Sequence, residues 1–189
     1  MTQLQLLPID DADDGLLRDL QPVVDETFGV PSRILPVRLD PEFALHGERR
    51  QYHSSQILQR MQGFLSPESW RLLGVAAVDL YIPILTFVFG EAQLGGQCAV
   101  VSTYRLRQEF YGLPRDKELL RQRLAKEAVH ELGHTLNLTH CVDYRCAMAP
   151  SHAVEWIDQK ESSLCSSCRS RATPAASRTL NNSRRPAAG

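Results

Sequence analysis

Apolar positions along this chain alternate between short dense runs and helically spaced stripes, and their order predicts a layered α/β domain. Residues 3–9 (QLQLLPI) read as a short buried strand. Residues 10–29 then give a turn and a helix, with Leu16, Leu17, Leu20, Val23, Val24 and Phe28 at helical spacing and acids near the start, where the helix dipole favours them. Pro22 falls inside this stripe and is expected to shift or kink the helix. Residues 30–39 predict a second strand, made irregular by Pro36, so the chain opens as a βαβ unit. A helix follows over 53–64, with Ser54 as cap and Ile57, Leu58, Met61 and Phe64 as its apolar face.

The run 73–83 (LGVAAVDLYIP) is nearly all apolar and suits a central strand buried on both faces. Asp79 interrupts it; a buried acid needs a partner, and hydrogen bonding at a strand end is favoured over a support role near a site. Residues 85–94 and 97–106 read as a hairpin about Gly95-Gly96. Pro114 suits the first turn of a long helix spanning about 115–136, in which Glu127 reads as solvated surface. A last short helix is expected over 153–162, and 169–189 reads as a basic tail poor in large apolar residues.

Length and composition narrow the class. A chain of 189 residues with 43% hydrophobic content is one globular domain, taken as 1–168 with subdomains of about 1–137 and 138–168. The overall charge of −1 hides an asymmetry: residues 169–189 carry five Arg and no acid, leaving 16 basic against 22 acidic side chains in residues 1–168. An acidic body argues against nucleic acid as partner. No apolar core follows a basic N-terminus and no long apolar run occurs, so neither export nor a membrane span is expected, and the protein is taken as a cytoplasmic monomer.

The chemistry lies in 130–168. His130 and His134 are four apart on the long helix and differ by about 40° in direction, so both imidazoles can reach one ion. Ala125, Val129, Leu132 and Leu136 cluster on one side and the histidines lie nearly opposite, so the ligand face is not the core face. Glu131 sits about 100° round from His130. There it is too far round to share a metal easily, but can act as general base toward a water on it. His140 joins only if the helix stops after His134 and folds back, and Asn137 is the candidate for a left-handed break. Cys141, Cys146, Cys165 and Cys168 are spaced C-x4-C and C-x2-C in a segment short of apolar residues, which suits a structural zinc. Disulfides are disfavoured by the absence of an export signal. His46, His53 and Tyr144 receive no role.

These residues resemble the archaemetzincins, a branch of the metzincin zinc metallopeptidases, whose pattern is HExxHxxGxxHC, CxM and CxxC. The similar segments cover roughly 73–168 and, more weakly, the N-terminal part. The resemblance implies a metzincin-like compact α/β fold: a mixed, mainly parallel twisted sheet, a long active-site helix and a small C-terminal lobe stapled by zinc. It implies catalytic zinc on His130, His134 and His140, Glu131 as base, Met148 as the floor of a Met-turn beneath the metal, and structural zinc on the four cysteines, hence two Zn2+ per chain. It also makes 86–92 the sheet edge that pairs with a peptide or protein substrate. The family's glycine is Asn137 here, the mildest replacement for a left-handed turn. A zinc-stabilised binding module with lost or restricted hydrolysis is the competing reading, and a hydrolase of non-peptide amides the third.

Overall fold

The computed structural model of the protein describes residues 2–172; the tail expected over 169–189 therefore lies outside it beyond residue 172. Residues 166–172 are helical, and Ala172 is buried. A five-stranded sheet forms the centre. Strand β1 (Gln3–Ile9) leads through α1 (Asp14–Phe28) to β2 (Ser32–Ile34), and β5 (Ser69–Ala76), β7 (Gly90–Ala92) and β8 (Cys98–Ser102) complete the order β2-β1-β5-β8-β7. The first four strands are mutually parallel and β7 is antiparallel to β8, so the sheet is mixed and mainly parallel as expected. A small second sheet joins β3 (Leu45–His46), β4 (Gln51–His53) and β6 (Leu80–Tyr81).

Both faces of the main sheet are buried, which is why its strands read as dense apolar runs. Strict alternation nonetheless sorts their side chains. Leu4, Leu6, Leu73, Val75, Ala99 and Val101 pack toward α1 and α3 (Lys117–Thr135). Leu7, Ile9, Leu72, Ala76 and Val100 pack toward α2 (Ser54–Met61). Gly74 in β5 faces α2, where a Cβ would come within 2.6 Å of Ile9 Cδ1 and 2.9 Å of Met61 Sδ.

Several elements differ from expectation, each for a physical reason. Helix α1 continues through Pro22, which lies exposed on its surface. Ser54 does not cap α2: His53 holds that position, and the buried Ser54 hydroxyl lies 3.1 Å from Tyr81 O and against the Glu91 carboxylate, with its one proton to donate. Strand β5 begins at Ser69, where it pairs with Gln3 of β1, and its Arg71 is buried, donating to Thr135 Oγ1 (3.0 Å) and Thr135 O (3.2 Å). Helix α3 starts after Pro114, with Asp116 as cap accepting from Leu119 N (2.9 Å). Of the strand expected over 85–94 only Gly90–Ala92 is regular, preceded by a single antiparallel bridge between Val88 and Leu80.

Candidate metal centre and catalytic cleft

Helix α3 carries His130 and His134 and ends where Asn137 takes φ 63°, the left-handed conformation expected of it. The chain folds back, with Leu138 N donating to Gly133 O (3.1 Å), and brings His140 beside the other two. Ring centroids lie 4.6 Å apart for His130–His134, 5.3 Å for His130–His140 and 5.2 Å for His134–His140. One ligand nitrogen from each falls within 4.8 Å of the others.

Hydrogen bonds behind the rings set their tautomers. His130 Nδ1 faces Ala147 O at 2.8 Å and His134 Nδ1 faces Leu138 O at 2.7 Å. A carbonyl only accepts, so each Nδ1 carries the proton and each Nε2 presents a lone pair. The two Nε2 atoms face each other at 3.1 Å. Protonation is opposed, because burial drives His130 well below the ordinary imidazole value of 6.5, with the Lys160 charge adding to it; burial also lowers His134 and His140. Two facing lone pairs repel unless a cation lies between them, so the donor set fits a divalent metal, and three imidazoles with one open position match catalytic zinc.

Glu131 is buried beside this group, against β7. A Cβ on Gly90 would lie 2.7 Å from Glu131 Oε1 and 2.6 Å from Val100 O, so only glycine lets the strand approach the carboxylate this closely. Burial raises the proton affinity of Glu131 well above the ordinary 4.5; the nearby Glu127 and Glu91 charges add to this and Lys160 opposes it. Together these groups line a cleft of about 450 Å³ whose other wall is the 85–92 segment. That wall is held from outside. Arg49 donates to Leu85 O and Thr86 O (both 2.9 Å), Gln51 donates to Thr86 O (3.0 Å), and Ser54 and Ser55 grip the Glu91 carboxylate. β7 is the last strand of the sheet among the described residues, and it lines the cleft.

Met148 is fully buried beneath the helix; a Cβ on Gly133 would collide with its sulfur, so helix and Met148 meet at closest approach. Asp79 is a hydrogen-bonding residue at the end of the strand region, as favoured. It accepts from Arg105 Nε (2.6 Å) and Nη2 (2.7 Å) and from Gln51 (3.0 Å). His46 and His53 pack against Tyr81 and do not join the three imidazoles.

Glu127 overturns its expectation as a solvated residue. Its side chain is 4% exposed and meets Lys160 Nζ at 2.8 Å, and the Lys160 side chain is 0% exposed. Lys160 also donates to Ala147 O (3.2 Å) and Ala149 O (3.1 Å), gripping the chain on both sides of Met148. No local pattern marks Lys160; it lies just past α4 (Val154–Gln159) and its burial depends on packing against α3.

The four cysteines converge in the closing lobe, their sulfurs within 4.8 Å of one another, and Cys141 Sγ and Cys165 Sγ are 3.8 Å apart. A tetrahedron with arms of about 2.3 Å has edges of about 3.8 Å, so the spacing fits four thiolates on one zinc rather than disulfides. Cys165 N points at Cys146 Sγ (3.3 Å); the N–H of Cys168 lowers the Cys165 thiol, while burial raises those of Cys146 and Cys168.

Comparison with known proteins agrees with this architecture. The profile described as Peptidase family M54 matches residues 19–173. The archaemetzincin of Methanocaldococcus jannaschii is 42% identical over 161 residues, covering 85% of this chain and 87% of that protein. The crystal structure of archaemetzincin from Methanopyrus kandleri superposes with a TM-score of 0.78 at 33% identity, over 95% of this chain and 96% of that one. A zinc-dependent peptidase from Methanocorpusculum labreanum gives 0.82 at 26% identity, over 89% and 99%. No helix among the described residues is long and apolar enough to cross a membrane.

Proposed function

The chain belongs to peptidase family M54, the archaemetzincins, and from that membership we propose that it hydrolyses peptide bonds with zinc on His130, His134 and His140 and with Glu131 as general base. Zinc in that position supplies Lewis acidity, lowering the pKa of a water toward about 7 and polarising the scissile carbonyl. The chain's own groups do the rest. The Nδ1–H bonds to Ala147 O and Leu138 O hold two imidazoles in the ligating tautomer. Glu131 accepts the proton of the attacking water and delivers it to the departing amide nitrogen. As the edge strand, β7 offers main-chain donors and acceptors to an extended peptide or protein substrate.

A second, structural zinc is assigned to Cys141, Cys146, Cys165 and Cys168, giving two per chain. Cys141 follows His140 directly, so this closed site also anchors the third imidazole. Reduced thiols of this kind fit the cytoplasm.

The observation that carries the reading is the pair of Nε2 lone pairs 3.1 Å apart with a third imidazole beside them. Glu131→Gln tests it: zinc content should stay at the wild-type level while peptide cleavage falls at least about a hundredfold. Unchanged cleavage would remove Glu131 from the mechanism. A wild type that binds peptides but cleaves none across a broad library would favour the binding-module reading.

A further inference from the structure

Three of the exposed large apolar side chains gather next to the cleft. Val142 and Tyr144, on the loop between Cys141 and Cys146, are 103% and 68% exposed, and Trp156 on α4 is 49% exposed. They line a depression of about 480 Å³, large enough for an aromatic side chain. Two of its other walls, His140 and Pro150, are also walls of the catalytic cleft. His152, on the cleft side, packs edge-on against the Trp156 ring at 5.2 Å. The depression therefore continues the cleft past the third imidazole.

The loop that presents Val142 and Tyr144 is held firmly. It is strung between two of the clustered cysteines. Arg145 N donates to Asp143 Oδ1 (3.0 Å), Glu161 N donates to Arg145 O (2.8 Å), and the Arg145 side chain is ion-paired to Glu161 beyond α4. Large apolar side chains held in water on a tethered loop bind a partner with little ordering cost.

We propose that this depression is a distal substrate subsite, taking an aromatic or large aliphatic side chain of the peptide beyond the residues that flank the scissile bond. The proposal rests on the peptidase reading above and adds to it a preference seated on the cysteine lobe. Because Cys141 lines the depression, the thiolate site sets the shape of a specificity wall as well as the place of His140.

The test uses the full chain and peptides sharing one cleavage site, in which Phe or Ser is placed in turn at each position on either side of the bond. At the matching position wild type should prefer Phe by about 10- to 100-fold in kcat/KM, the effect of burying one such side chain. In Trp156→Ala and Val142→Asp that ratio should collapse toward one, with zinc content and melting temperature monitoring the fold. Trp156 is one of two tryptophans and Trp70 is buried, so Phe peptide, and not Ser peptide, should shift the emission of uncut complexes with Glu131→Gln. An equal Phe/Ser ratio in wild type and both variants at every position overturns the subsite. So does sedimentation showing a Trp156-dependent dimer with no peptide effect. If wild type cleaves no peptide, hydrolysis falls instead, and the emission shift still decides the subsite.

Discussion

Removing the Lys160 ammonium should expose how much of this fold rests on one hidden ion pair. Lys160→Met keeps most of the side chain's volume but leaves Glu127, 4% exposed, facing a methyl group instead of a cation 2.8 Å away. Breaking a buried pair from one side costs about 3–5 kcal/mol, because the remaining charge is neither solvated nor compensated. Ala149 O loses this donor as well, whereas Ala147 O keeps the His130 Nδ1–H. In a domain of this size each kcal/mol lowers the melting temperature by about 2–4 °C, so a fall of about 6–20 °C is expected by calorimetry of the metal-free protein. The double variant Glu127→Gln/Lys160→Met removes both charges and should recover at least half of the loss. Zinc affinity, read by competition with a chelator, should drop in the single variant, since Lys160 grips the carbonyl that orients His130. A melting temperature within about 2 °C of wild type, or a double variant no better than the single one, would refute the reasoning.

Other expectations follow from the same geometry. Gly90→Ala places a methyl against Glu131 Oε1 and Val100 O, so cleavage should fall by about 10- to 100-fold with zinc content unchanged, checked by steady-state kinetics and metal analysis. In the metal-free protein the depressed His130 binds protons better when unfolded, so its contribution to stability is present above about pH 6.5 and lost as pH falls. Glu131, raised above 4.5, works the other way and gains stability as pH falls. Melting curves between pH 7.5 and 5 should therefore be flatter for His130→Gln and steeper for Glu131→Gln than for wild type. Cys98 stays buried in β8, where burial pushes its thiol up to about 11, whereas chelation should open the lobe that holds the other four; a thiol reagent at pH 8 should therefore titrate those four in the chelated protein and reach Cys98 only after denaturant is added. Chelation should also destabilise the lobe: 138–168 should become protease-sensitive, and a resistant lobe would count against a structural metal.

What could be read from the chain alone was whatever is settled within a helical turn or a two-residue alternation. Two imidazoles four apart share a face of any helix; Asn137 can break that helix left-handed; the cysteine spacings and the buried parallel strands follow from the same local rules. Tertiary structure decided the rest, because a charged or polar side chain looks solvent-bound in sequence until something distant in the chain answers it. Glu127 reads as surface until Lys160 covers it, and Ser54 as a cap until Glu91 meets it. Strand β7 shows the same limit: its length was set by where β8 and α3 allow an edge to approach Glu131, and no alternation within 85–94 encodes that distance.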